Sequence, residues 1–303
     1  MRFELRLLGT ASAQPSLGRF TTCHHLNIQE QHFLIDCGEG AQMRMEQYKV
    51  KRSKINHIFI SHLHGDHFFG LWGLLTSYTL NNRTAALHLY SPPGLKEVLL
   101  PALSIGGAEL SFPLHFTEVD PEAHRCVYDN NQLSVHTIPL RHRIPACGYL
   151  FREKQRPRNM IGAKIQQYDL SIPQIKAAKA GEDIPLEDGR LVPNHELTEA
   201  ALPPRAYAFC SDTRYTETII PYIKGVDLLY HESTFCADNL HRAKVTMHST
   251  AAEAARIAQA AGVGKLILGH FSTRYEDTRV FETEARSIFA EAYAGEDGLV
   301  IEL

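Results

Sequence analysis

Apolar positions along this chain fall into short runs separated by clusters of Gly, Pro, Asn and Asp. Residues 5–8, 25–29, 32–36 and 57–61 alternate or run continuously in β-branched and aromatic side chains, which predicts strands. Residues 40–48 and 69–78 have the wider apolar spacing of helices. Residues 125–128 and 133–140 predict a hairpin turned by Asp129-Asn130-Asn131, with a further strand at 148–152. The second half repeats a strand-then-helix rhythm, with strands at 207–211, 227–230 and 265–268. One helix is marked at both ends: Thr250 and Glu253 form a capping box, alanines fill the body to Ala261, and Gly262 stands where a left-handed cap is wanted. This alternation predicts an α/β fold with large sheets.

Between residues 152 and 203 the periodicity breaks down among several Pro and Gly residues. A structureless stretch of that length inside a compact domain is functional or flexible. The 303 residues therefore read as a single domain, 1–303, with an insertion at about 152–202.

Composition narrows the function classes. Hydrophobic content of 44% and charged content of 21% allow a sizeable core and argue against wholesale disorder. A net charge of −3 excludes a uniformly basic coat, so any nucleic-acid binding must rest on a local patch. One such patch is present: Arg141, Arg143, Arg152, Lys154, Arg156, Arg158 and Lys164 are interrupted only by the acid Glu153. Lys49, Lys51, Arg52 and Lys54 form a second cluster, which reads as a solvated face rather than an RNA contact. The six cysteines (Cys23, Cys37, Cys126, Cys147, Cys210, Cys236) include no Cys-x-x-Cys pair and read as reduced core thiols of a cytoplasmic protein. Arg2, Glu4 and Arg6 interrupt the first apolar positions, so no signal-peptide core is expected, and no apolar run approaches a membrane span.

The chemistry is concentrated in His62-Leu63-His64-Gly65-Asp66-His67, directly after the apolar run Ile58-Phe59-Ile60. In an extended backbone His62 and His64 point to one side. Gly65 is expected to turn the chain sharply and bring Asp66 and His67 round as a second ligand group. Imidazole and carboxylate together suit zinc, with manganese or iron as alternatives. Three more polar residues follow strand-like runs: His142, Asp212 and His270. Open α/β sheets place their sites at such strand ends. Seven ligands suffice for two ions at three each with a shared carboxylate. His248 lies just outside the amino end of the capped helix, where the dipole disfavours its charged form, and is a candidate proton donor with Glu232 as its carboxylate partner. His115, His124, His136 and His195 read as ordinary; His24, His25 and His57 have no ligand spacing.

The set His62, His64, Asp66, His67, His142, Asp212 and His270 resembles that of the metallo-β-lactamase superfamily. Further stretches resemble short-form tRNase Z (ribonuclease Z): Leu8-Gly9-Thr10-Ala11-Ser12 with Pro15, Phe33-Leu34-Ile35-Asp36-Cys37-Gly38-Glu39-Gly40, Ser211-Asp212-Thr213-Arg214, His231-Glu232-Ser233-Thr234-Phe235, His248-Ser249-Thr250, and Gly269-His270-Phe271-Ser272-Thr273-Arg274-Tyr275. The resemblance implies a four-layer αβ/βα sandwich with an inserted flexible arm, and a zinc endoribonuclease that removes the 3′ trailer from precursor tRNA. It further implies two zinc ions per chain, one on His62, His64 and His142 and one on Asp66, His67 and His270, bridged by Asp212. Asp66 would also orient the attacking hydroxide, and Arg274, Ser272 and Thr273 would hold a phosphate. The insertion, which includes Pro173, Lys179 and Gly181, would be the arm that grips the tRNA body of a homodimer's substrate. Two other readings stand beside this one: a small-molecule ester hydrolase on the same scaffold, and a non-catalytic RNA-binding subunit.

Overall fold

The computed structural model describes residues 2–16, 18–105, 107 and 109–303. The chain divides into two compact units, the first comprising the chain up to Asp129 with Ser134–Phe151 and Arg205–Leu303, the second Asn130–Leu133 with Arg152–Pro204.

The first unit begins with a sheet in which β1 (Phe3–Gly9), β2 (Cys23–Ile28), β3 (Gln31–Ile35), β4 (Ile55–Phe59), β5 (Leu87–Ser91) and β6 (Leu114–Glu118) lie in chain order. The first three strands pair antiparallel and β3 to β6 pair parallel. The helices α1 (Ala41–Gln47), α2 (Gly65–Phe68), α3 (Leu71–Leu80) and α4 (Leu95–Ile105) belong to this half. Met45, Leu71, Leu74, Leu75, Leu99 and Leu103 pack from them against Leu34, Ile58, Leu87 and Leu89 of the strands. The expected hairpin forms from β7 (Cys126–Asp129) and β8 (Leu133–Pro139), and β9 (Cys147–Glu153) follows.

The second unit is not structureless. β10 (Asn159–Met160) pairs with β13 (Thr198–Glu199), β11 (Ile184–Pro185) pairs with β12 (Leu191–Val192), and α5 (Gly162–Gln167), α6 (Ile172–Ala180) and α7 (Asn194–Leu197) complete it. Leu170, Ala178, Ile184, Val192 and Leu197 form a small core of its own. Ser171 and Gln174 cap α6, and Gly181 ends it at φ 104°.

Returning to the first unit, β14 (Ala206–Cys210), β15 (Leu228–Glu232), β16 (Lys265–Gly269) and β17 (Ala292–Ala294) run parallel and complete a second sheet in the order β17-β16-β15-β14-β9-β8-β7; β18 (Val300–Glu302) returns to the edge of the first, beside β1. The helices α8 (Ile220–Ile223), α9 (Leu240–Thr246), α10 (Ala251–Ala261) and α11 (Arg279–Arg286) lie in this half, and α8, α10 and α11 supply the core on its outer face. The two sheets meet through aromatic side chains: His24 stacks edge-on against Phe209 and Tyr230, and Phe59 against Tyr149 and Phe151. Full burial of a phenyl ring such as that of Phe59 or Phe151 contributes about 1.5–3 kcal/mol. The result is the four-layer αβ/βα sandwich. All six cysteines are free, but Cys126 is exposed on the edge strand β7 and is not a core thiol.

Candidate metal centre

The chain delivers its polar residues where strands end. β4 is followed by His62 and by His64, the latter in extended backbone, and α2 then carries Asp66 and His67. Gly65 does not turn the chain through a left-handed conformation; it opens α2, and a Cβ there would lie 2.3 Å from the Phe69 ring. From the second sheet, His142 follows β8, Asp212 follows β14, Glu232 ends β15 and His270 follows β16. His270 sits at φ 59° and Asp36 at φ 55°, backbone positions that non-glycine residues hold only when their surroundings impose them.

The seven residues converge. The ligand atoms of His62, His64, His142 and Asp212 lie within 4.8 Å of one another, as do those of Asp66, His67 and His270. Asp212 stands between the two groups. Its Oδ2 is 3.5 Å from His62 Nε2 and 3.7 Å from His142 Nε2, while its Oδ1 is 3.4 Å from His67 Nε2 and 3.1 Å from His270 Nε2. Asp66 Oδ2 is 3.4 Å from both His67 Nε2 and His270 Nε2. The opposite ring nitrogens are held from behind. His67 Nδ1 meets Asp36 at 2.7 Å, His62 Nδ1 meets Ser61 Oγ at 3.0 Å, His142 Nδ1 meets the Met247 carbonyl at 2.9 Å, and His270 Nδ1 meets Thr234 Oγ1 at 2.9 Å. Such outer bonds fix ring orientation and tautomer.

The donor set fits divalent cations. His67 Nε2 and Asp212 Oδ1 are buried and have no hydrogen-bond partner. Burial, then His67, lowers His62 to about 3, and burial also lowers His142, so both are neutral imidazoles, the form that ligates. Burial opposes charge on Asp212, yet His270, His67 and His62 hold its carboxyl well below the ordinary range. His67 is buried too, but Asp66, Asp212 and Asp36 surround it and raise its affinity for positive charge, which a cation would supply. The fold family and this cluster together point to a divalent-metal site.

Glu232 is fully engaged beside the cluster. Its Oε1 accepts from Thr213 N at 3.1 Å and Ser249 N at 3.0 Å, its Oε2 accepts from Thr234 N and Oγ1 at 2.9 Å, and His248 Nδ1 lies 2.9 Å from Oε1. Asp212, His248 and His270 also have ligand-like spacing, but His248 turns Nδ1 towards Glu232. The capping box at Thr250 forms as expected. The expected effect of the helix dipole on His248 does not prevail. Burial lowers its proton affinity, but Glu232 and then Asp212 outweigh that and push it up to about 9. A carboxylate at hydrogen-bond distance is a nearer and fuller charge than a helix terminus.

A cavity of about 600 Å³ opens over the centre, and Ser272, Thr273 and Arg274 line it. So do Phe69, Arg143 and Arg242, which sequence reasoning missed as site residues. Arg143 falls in the basic run that leads into the insertion, yet it directly follows His142. Arg242 lies on α9, whose end at Met247 (φ 61°) leads into His248, so proximity to a motif was the available signal. The set-aside histidines are elsewhere: His57 of β4 and His115 of β6 each stack on His88 of β5, His124 stacks on His136, and His195 lies on α7.

Comparison with known proteins adds the following. A family model described as the anti-Pycsar protein Apyc1 matches residues 3–155. A ribonuclease Z of Bacteroides thetaiotaomicron is 46% identical over 300 residues, 99% of this chain and 95% of that protein. A ribonuclease Z of Cytophaga hutchinsonii is 47% identical over 299 residues, 98% of this chain and 95% of that protein. The crystal structure of the short form of human tRNase Z superposes with a TM-score of 0.73 at 26% identity, covering 98% of each chain. The family-model match ends before Asp212, Glu232, His248 and His270, whereas the full-length relatives extend across them.

Proposed function

The chain belongs to the ribonuclease Z family, and from that premise we propose that it cuts precursor tRNA to release the 3′ trailer, leaving a tRNA 3′-hydroxyl and a 5′-phosphate on the trailer. The observation that carries the reading is Asp212 lying between two ligand groups, with His248 backed by Glu232 beside it. His62, His64 and His142 would hold one zinc ion and Asp66, His67 and His270 a second, with Asp212 shared. Two such cations supply positive charge to the phosphate oxygens and lower the pKa of a water towards neutrality.

The chain's own residues do the rest. Asp66, whose Oδ2 accepts from Ala13 N at 2.8 Å, orients the attacking water. As the water oxygen bonds to phosphorus, the bond from phosphorus to the 3′ oxygen breaks, and His248 Nε2 gives that oxygen its proton. Glu232 fixes the tautomer that makes Nε2 the donor and stabilises the charged ring beforehand. Arg274, Ser272 and Thr273 bind phosphate oxygens; Arg143 and Arg242, exposed on the same cavity, bind flanking phosphates of the RNA strand.

The insertion at 152–202 is the tRNA-gripping arm. A groove lined by Arg156, Arg158, Lys176 and Lys179 within the second unit supports this, because a small ester has no need of a polycationic surface. The basic run seen in the sequence is divided, however: Arg141 and Arg143 belong to the first unit, and Arg156 is tied to Glu153 at 2.6 Å. No helix among the described residues is long and apolar enough to cross a membrane. The free cysteines fit a reducing, cytoplasmic setting, and the working state we propose is a homodimer.

The test is end-mapping on a precursor tRNA with a 3′ trailer, using the parent and a form in which residues 152–202 are a Gly/Ser linker. The parent should make one cut with the stated ends, and the shortened form should bind RNA more weakly with a flatter salt dependence while still hydrolysing a small phosphodiester. If both forms ignore tRNA yet hydrolyse the small diester, the small-ester reading replaces this one.

A further inference from the structure

Away from the metal centre, the outer face of β1, β2 and β3 holds a second polar assembly. Register places Arg6 opposite His25, and Glu4 opposite Asn27, which in turn faces His32. These side chains line a cavity of about 260 Å³ that the segment after α1 completes with Tyr48, Lys49, Val50, Lys51 and Lys54. Arg2 and Glu30 also line it.

Two features of this cavity point to an anion. The first is charge. Five cations (Arg2, Arg6, Lys49, Lys51 and Lys54) face two carboxylates, Glu4 and Glu30. Glu4 is shared by Arg2 at 3.8 Å and Arg6 at 3.6 Å, and Glu30 by Arg2 at 3.9 Å and Lys54 at 3.3 Å. Lys49 and Lys51 have no carboxylate partner among the described residues. Arg52, which looked in the sequence like part of the same cluster, is drawn off to Glu46 at 3.1 Å and does not line the cavity.

The second feature is the histidine pair. His25 Nε2 lies 2.9 Å from His32 Nδ1, and the two outer nitrogens, His25 Nδ1 and His32 Nε2, are buried without a partner. The residues are 4% and 8% exposed. Burial followed by His32 holds His25 at about 3, and burial followed by Lys54 holds His32 down, so both rings are neutral. In a neutral pair joined by one hydrogen bond, one outer nitrogen is a donor and the other an acceptor, whichever ring donates. An anion that pairs with both outer nitrogens therefore needs both a bare oxygen and an O–H. Monohydrogen phosphate has both, and its two charges suit the cationic surplus. Sulfate has no O–H, and an internal RNA phosphodiester has neither the O–H nor the second charge.

We propose that the cavity between the β1–β3 face and the 48–54 segment is a binding site for inorganic phosphate, held by Lys49, Lys51 and the His25–His32 pair. It is independent of the metal centre, and the residues that form it take no part in the cleavage.

Equilibrium dialysis of the metal-loaded protein against radiolabelled orthophosphate at pH 7.5 tests this. Any phosphate held at the metal centre is common to all forms, so the comparison is with a Lys49→Asn/Lys51→Gln double variant, in which Asn keeps the left-handed backbone of position 49 (φ 56°), and with His32→Gln. Each variant should bind one phosphate fewer per chain than the parent, or bind it at least tenfold more weakly, with small-diester hydrolysis unchanged as the check on folding. Sulfate should displace that phosphate at least tenfold less well than unlabelled phosphate does. Equal phosphate uptake by parent and both variants overturns the site. A preference for 5′-phosphorylated over 5′-hydroxyl oligoribonucleotide that disappears in the variants, without a change in orthophosphate uptake, overturns the free-ion assignment in favour of an RNA end.

Discussion

His248 is the residue on which the reaction model turns, because its Nδ1 is held by Glu232 and its Nε2 is left to face a leaving oxygen. With Nδ1 committed to a Glu232 that is itself saturated by four backbone and hydroxyl donors, the charged form is stabilised before substrate arrives. His248→Ala should keep its metal content and lose about 10²–10⁴-fold in kcat on precursor tRNA, the usual worth of a positioned acid. On a nitrophenyl phosphodiester, whose leaving group needs no proton, the deficit should shrink. A variant that loses metal, or the same deficit on both substrates, would remove His248 from the acid's role. At this scale the sequence revealed most, since the proposed ligands sit in short motifs. It did not reveal the outer bonds: Asp36 behind His67 and Thr234 behind His270 come from distant loops, and only the fold brings them there.

Elements with a strong pattern were legible, and those that bury little were not. The predicted strands at 5–8, 32–36, 207–211 and 265–268 fall on β1, β3, β14 and β16 to within a residue or two at either end. β6 escaped notice because its apolar face is only Leu114 and Phe116, both half-buried, and α4 because Pro101 lies inside it. α6 was lost in the insertion because it buries only Ala178. The opposite extreme is α10, which buries eight of its residues and whose Thr250 accepts from Glu253 N at 3.2 Å while Glu253 Oε2 accepts from Thr250 N at 2.9 Å. Thr250→Ala should cost about 1 kcal/mol in urea unfolding. Because His248 and Ser249 are positioned through the same helix start, kcat on precursor tRNA should fall as well, without loss of metal. Unchanged kcat at reduced stability would mean that Glu232 alone fixes His248.

The whole molecule should respond to acid through histidines that face no substrate. His24 lies between the sheets, its Nδ1 2.9 Å from the Tyr207 hydroxyl, and burial followed by His67 holds it at about 3; His25 is held at about 3 as well. An unfolded histidine takes its proton near pH 6.5. Below that pH the unfolded chain binds protons that the folded chain refuses, so stability is full above about pH 6.5 and falls as pH drops towards 3. The slope approaches about 1.4 kcal/mol per pH unit for each such residue. Urea unfolding between pH 7.5 and 5 should show this decline, and His24→Gln should flatten it by one proton's worth. An unchanged slope would show that His24 accepts a proton inside the fold.

The proposed arrangement of ligands by sheet would give bound cations a second role. His62, His64, Asp66 and His67 hang from the first sheet, and His142, Asp212 and His270 from the second, so an ion on either proposed ligand set would rivet the two halves of the sandwich across their seam. Catalytic competence and the lifetime of the fold then share one dependence. A cell short of the metal would meet a chain that breathes open along that seam and is cleared by proteases, and would lose the enzyme itself rather than hold it in an idle form.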